Sequence, residues 1–273
     1  MASILAAHGL RLAYGDRVVV DDLSIRIPDG GFTVIVGPNA CGKSTLLKAL
    51  ARTIKPAAGE VLLGGVSIHS SRSKAVARRL AMLPQSPITP DTVTVRDLVG
   101  RGRFPHQGML NQWSRSDEAA VAEALIATST DGLADRLVAE LSGGQRQRAW
   151  IAMVLAQQTE LLLLDEPTTF LDIAHQYDVL ELCARLHEAG RTLVVVLHDL
   201  TQAARYASNL VVMHDGRIVA EGPPREVLTA ELVAGVFGLP CRVIDDPETG
   251  TPLVVPLSRA RLSGRAPAPR AAS

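Results

Sequence analysis

Short, nearly unbroken apolar runs recur along the chain, separated by polar and glycine-rich breaks. Residues 4–12, 18–20 and 23–27 carry aliphatic and β-branched side chains at strand spacing. Tyr14-Gly15-Asp16 and Pro28-Asp29-Gly30-Gly31 supply the turns that bound them. Residues 32–36 read as a buried strand running into a glycine-rich loop, with a helix over 43–51 behind it and further strands at 61–63 and 80–83. From about 86 to 156 the character changes, and residues 95–103, 117–127 and 145–156 favour helix. The strand–helix rhythm then returns. It predicts strands at 160–164 and 192–197, helices at 175–189 and 200–206, and a hairpin of 210–213 with 217–221 around His214-Asp215-Gly216. Continuously apolar strands alternating with helices predict an α/β fold with a mainly parallel sheet, carrying a helical insertion rather than a second domain.

Composition narrows this only in places. A length of 273 residues fits one large α/β domain, and with aromatics at 3% the core must rest on aliphatic side chains. The formal net charge of zero gives no global basic field for nucleic acid, although a local patch stays open. Cys41, Cys183 and Cys241 lack metal-ligand spacing, and a sparse, odd set suits a reduced compartment. The first residues lack the apolar stretch of a signal peptide, and the runs at 161–164 and 193–197 are too short to cross a bilayer, so any membrane role is expected through a partner. Residues 259–273, rich in Arg, Ala, Pro and Ser, are expected to form a disordered tail.

Two stretches carry chemistry. Gly37-Pro38-Asn39-Ala40-Cys41-Gly42-Lys43-Ser44 matches G-x-x-x-x-G-K-[ST] between a predicted strand and a predicted helix, and Thr45 follows it. Glycines let such a loop curl until successive N–H groups face phosphate oxygens, and the helix N-terminus adds its dipole. Lys43 would bring positive charge to the terminal phosphates, and the Ser44 hydroxyl would ligate Mg²⁺. Residues 161–167, Leu-Leu-Leu-Leu-Asp-Glu-Pro, end a buried strand in two carboxylates. Asp165 would hold Mg²⁺ through water, and Glu166 is the candidate base for an attacking water. Alone, an Asp-Glu pair after a strand reads as a helix cap; behind a phosphate loop the catalytic reading prevails.

Leu141-Ser142-Gly143-Gly144-Gln145, ahead of a predicted helix, resembles the signature of ABC ATPases. The resemblance covers residues 4–258 and implies a RecA-like core, an N-terminal antiparallel β portion and an inserted helical subdomain. It implies that Ser142, Gly143, Gly144 and Gln145 meet the ATP held by a partner subunit, with Asp172 at the dimer seam. By the same resemblance Gln85 meets Mg²⁺, His198 contacts the γ-phosphate, and Tyr14 stacks on adenine; Tyr14 also fits an ordinary Tyr-Gly turn. The stretch from Gly100 through Arg103-Phe104-Pro105-His106 to Gly108 is similar to the ATPases of iron-siderophore importers, as are residues 156–160 and 168–176. The importers place the first stretch near the groove that receives a permease helix, so an exposed Arg-Phe-Pro-His patch is expected there. Ala40 stands where many relatives have Gly; Ala tolerates positive φ poorly, so the loop is expected to hold it in a permitted region. Cys41 is read as structural, and as a reporter of nucleotide protection against thiol reagents.

The resemblance therefore implies a MgATP-hydrolysing subunit of an importer. It would work as a homodimer on the cytoplasmic face of the inner membrane, beneath permease subunits served by an extracytoplasmic substrate-binding protein. A soluble ABC scaffold, for example in iron–sulfur cluster assembly, shares every motif except the groove stretch. A nucleic-acid-handling ABC ATPase is less well matched, because tandem cassettes, long coiled-coil insertions and a basic balance are all missing.

Overall fold

The computed structural model describes residues 3–87, 92–108 and 113–258. β1 (Ser3–Tyr14) and β2 (Arg17–Pro28) form a hairpin closed by Gly15-Asp16, with Gly15 at φ 57 as the two-residue turn requires. β3 (Phe32–Val36) leads through the phosphate loop into α1 (Lys43–Leu50). β4 (Ala58–Leu63), β5 (Val66–Ser67), α2 (Ser73–Ala77) and β6 (Leu80–Leu83) follow. Between β6 and β7 the regular elements described are helical: α3 (Val95–Gly100), α4 (Arg115–Ala127), α5 (Gly143–Ala156) and short 3-10 turns. The chain continues as β7 (Leu161–Asp165), α6 (Ile173–Glu188), β8 (Thr192–Val196), α7 (Leu200–Tyr206), β9 (Asn209–His214) and β10 (Arg217–Gly222). It closes with α8 (Pro224–Val227), α9 (Ala230–Phe237) and the hairpin of β11 (Cys241–Asp245) and β12 (Pro252–Pro256).

One sheet has the order β10-β9-β3-β8-β7-β6, parallel from β9 to β6 and antiparallel only at the β10 edge. A second, β2-β1-β4-β5, is antiparallel. Every residue of β3, β7 and β8 is buried, which explains why these strands read as nearly unbroken apolar runs. The period of two is still present, because it divides each strand between two cores. Phe32, Val34, Leu162, Leu164, Leu193 and Val195 pack with the inserted helices, including Val121 and Trp150. Ile35, Leu161, Leu163, Val194 and Val196 pack with the antiparallel sheet and α1 through Leu5, Leu10, Ile25 and Leu46.

Three sequence readings change. Residues 18–20 and 23–27 belong to one strand, β2, interrupted by Asp22 at φ 55, where the pairing to β1 shifts register. The helix read over 95–103 ends at Gly100 and continues as a 3-10 turn over Arg101–His106, in which Pro105 cannot donate a backbone hydrogen bond. The elements α8, α9, β11 and β12 lie in a stretch whose apolar pattern gave no reading. The tail expected over 259–273 lies outside the described residues.

Candidate functional site

Four neighbouring parallel strands deliver the site. In the order β3-β8-β7-β6, their C-terminal ends carry the phosphate loop, His198, Asp165-Glu166 and Gln85. This is the edge of a parallel sheet at which α/β folds bind ligands. The loop leaves β3 at Gly37, φ 158, where a Cβ would stand 2.2 Å from the Met213 carbonyl oxygen. Gly42, φ 105, caps α1. Between them Ala40 sits at φ 62, in the small left-handed region, which costs a residue with a Cβ about 1–2 kcal/mol. Lys43 is buried, and its Nζ donates to the carbonyls of Gly37 and Pro38, both at 2.9 Å. Its ammonium is thereby fixed against the loop. Cys41 is only 5% exposed and burial pushes its thiol pKa up, which removes the basis for using it as a protection probe.

Ser44 Oγ donates to Asp165 Oδ1 at 2.8 Å, joining the loop to the acidic strand. Asp165 is buried, and its Oδ2 has no hydrogen-bond partner. Burial raises its pKa, and the Ser44 hydrogen bond opposes the rise. A buried carboxylate oxygen left orphaned beside a hydroxyl fits the oxygen-only ligand set of Mg²⁺.

Glu166 is buried and left-handed at φ 51. His198 Nε2 lies 2.7 Å from its Oε1. Gln85 Nε2 donates to its Oε2 at 2.6 Å, and Thr169 Oγ1 donates to the same oxygen at 3.2 Å. Both carboxylate oxygens are therefore held, and Gln85 directs its amide nitrogen at Glu166 rather than at the Ser44–Asp165 pair. An open cleft of about 320 Å³ lies over these groups, lined by Tyr14, Arg17, Val19, Asn39, Ala40, Gly42, Lys43, Ser44, Thr45, Glu166 and His198. Sequence reasoning passed over Arg17, Val19 and Thr169. Arg17 pairs with Tyr14 across the two-residue turn, so the hairpin itself was the available signal.

The residues at 142–145 and Asp172 do not line this cleft; they form a second cluster. Ser142 and Gln145 exchange a capping box at the start of α5, through Gln145 N–H to Ser142 Oγ at 3.3 Å and Ser142 N–H to Gln145 Oε1 at 3.1 Å. Ser142 and Gly143 are exposed, whereas Gly144 is buried against the His175 ring. Asp172 caps α6 and accepts from the His175 backbone N–H at 3.0 Å, and these bonds to His175 hold its carboxyl below the usual range.

The stretch around Phe104 departs from expectation. Phe104 is 65% exposed and borders a groove of about 720 Å³ with Arg101, Gln107 and Trp113. Arg103 and Pro105, however, are buried. Arg103 spends its guanidinium on Asp117 Oδ1 at 2.8 Å, Ala156 O at 2.7 Å and Gln158 Oε1 at 2.9 Å. The patch is thus an aromatic side chain above a buried ion pair. Among the described residues no helix is long and apolar enough to cross a membrane.

Comparison with known proteins follows the same lines. Residues 20–169 match the family described as ABC transporter. The ferric enterobactin transport ATP-binding protein FepC of Escherichia coli (strain K12) is 56% identical, over 93% of this chain and 94% of its own length. The probable siderophore transport system ATP-binding protein YusV of Bacillus subtilis (strain 168) is 54% identical, over 95% and 94%. Among solved structures, an ABC transporter in an inward-facing conformation superposes with TM-score 0.82 at 28% identity, over 95% of this chain and 100% of that one. The dimeric structure of a bacterial ABC transporter cassette gives TM-score 0.71 at 26% identity, over 80% and 98%.

Proposed function

The chain belongs to the ABC transporter family as an ATP-hydrolysing, ATP-binding subunit, and from that premise we propose that it powers import of a ferric siderophore through a membrane permease. Relatives named for ferric enterobactin and siderophore transport, matched along nearly their whole length, support the cargo class. They also leave the soluble-scaffold alternative unfavoured.

In this reading the loop from Gly37 to Thr45 cradles the phosphates, with Lys43 already held where their charge would lie. Ser44 and Asp165 would hold Mg²⁺, which when bound neutralises phosphate charge. Tyr14, Arg17 and Val19 form the wall that meets the base and ribose. Glu166 accepts the proton of the attacking water, and its Oε1 must be shared with or released by His198 for that to occur. Gln85 and Thr169 keep the other oxygen fixed meanwhile. The observation that carries the reading is this carboxylate, gripped at both oxygens and set at adjoining strand ends beside a buried lysine.

The cluster of Ser142, Gly143, Gly144, Gln145 and Asp172 lies off the cleft, which supports a head-to-tail homodimer in which it serves the partner's ATP. The Phe104 and Trp113 groove is the proposed permease contact, on the inner membrane's cytoplasmic face, with a substrate-binding protein delivering cargo outside. Residues 1–258 act as one ATP-binding domain, and 86–156 as its helical insertion. The test pairs calorimetry with uptake. Lys43→Ala should lose nucleotide binding and fail to restore ferric siderophore uptake in a cell lacking its own subunit. Unchanged affinity would show that the loop is not the cradle.

A further inference from the structure

The cleft with His198 and the cluster at 142–145 with Asp172 face different nucleotides in the reading above, yet a short series of side chains joins them. His175 Nδ1 lies 2.6 Å from Asp172 Oδ1. Its ring packs so closely on the first turn of α5 that a Cβ at Gly144 would stand 2.3 Å from His175 Cδ2. The next residue, Gln176, donates from Nε2 to the Leu171 carbonyl at 3.0 Å. Its Oε1 accepts from Gln202 Nε2 at 2.8 Å. Gln202 is 4% exposed in the first turn of α7, and its backbone N–H donates to Asp199 Oδ1 at 2.8 Å. Asp199 directly follows His198.

Both ends of the Gln176 amide are therefore committed, one to the loop before Asp172 and one to the helix that begins beside His198. A buried amide that loses its partner is penalised, so the two loops have reason to move as one. We propose that Gln176 and Gln202 are positioning residues that couple the chain's two nucleotide half-sites. Seating of His198 on this chain's ATP then accompanies seating of the 142–145 turn and Asp172 on the partner's ATP. This rests on the functional reading above.

Gln176→Met and Gln202→Met preserve length and remove the amide. ATP hydrolysis by the full chain is measured for each variant and for the pair, with thermal melts to confirm folding. The Hill coefficient for ATP should fall toward unity, with kcat reduced about tenfold and KM within about twofold. The double variant should be no worse than the poorer single, because the same bond is removed once. Monomer affinity for a fluorescent ATP analogue should match the wild type. Wild-type cooperativity and kcat in a folded single variant, additive losses in the pair, or a wild-type Hill coefficient of one would each overturn the coupling. If Gln202→Met unfolds, the half-buried Gln176→Met decides alone. A wild-type chain that binds no ATP would instead refute the functional reading itself.

Discussion

Arg103→Ala and Phe104→Ala are neighbouring substitutions with opposite expected outcomes. Arg103 is 4% exposed and its partner Asp117 equally so. Deleting the guanidinium removes three hydrogen bonds and strands a buried carboxylate, a class of change that costs about 3–5 kcal/mol. Asp117 retains Ser114, whose N–H and Oγ donate to Oδ2 at 3.0 and 2.6 Å, which places the cost near the lower end. About 3 kcal/mol in a domain of this size lowers the melting temperature by roughly 6–12 °C. Phe104 has only about a third of its surface to lose, so truncation costs about 1 kcal/mol, including its cation–π contact with Lys74 at 5.0 Å. Thermal and urea unfolding of both variants measure the difference. A Phe104→Ala loss equal to or above that of Arg103→Ala would refute the argument.

The pair also predicts a pH signature. The Ser114 hydroxyl first, and Arg103 with it, hold the Asp117 carboxyl below its usual range against the opposing pull of burial. A depressed folded pKa means that the stabilisation is complete above about pH 4 and is lost as pH falls further. Arg103→Ala should flatten that acid limb, though only in part, because the larger contribution belongs to Ser114.

Glu166→Gln should slow turnover by roughly 10²–10⁴-fold while ATP-dependent dimers persist on size exclusion; near-normal turnover would remove Glu166 from the base role. Ala40→Gly should raise unfolding stability by up to about 1 kcal/mol, since relief of left-handed strain exceeds the added chain entropy, and denaturant titration reads it. Cys41, Cys183 and Cys241 are all buried, so Ellman's reagent should label native protein slowly with or without ATP, and rapid labelling would contradict the packing.

The phosphate loop and the acidic strand end were legible because each is a local backbone device whose residue types sit side by side. The turn at Ser142, by contrast, was read as a family signature, and its capping box shows only in the fold. Gln85 and His198 were named through the family resemblance, and the grip of Thr169 on Glu166 shows only when the turn folds. Arg103 was misread for a different reason. An arginine after a helix signals solvent, and the partners that bury it are at 117, 156 and 158, beyond any local pattern. β11 buries only Cys241, so that strand announced no core, whereas β10 was legible as one arm of a hairpin from the turn at His214-Asp215-Gly216. The division of β2 at Asp22 reflects one residue whose left-handed backbone breaks the strand's alternation without ending the strand.

The placement of β3 has a consequence for how the protein is made. Its sheet neighbours are β8, pairing Phe32 with Leu193, and β9, pairing Thr33 with Asn209. The strand that carries the phosphate loop is thus synthesised some 160 residues before either flank exists. At ordinary translation rates of about 5–20 residues per second, that is an interval of roughly 8–30 seconds. During it the nascent N-terminal third holds a strand that is apolar at four of its five positions, with both edges unpaired. Ribosome-bound chains stalled before residue 190 should therefore recruit holdase chaperones and bind no nucleotide, whereas release of the segment through β9 should end both conditions together.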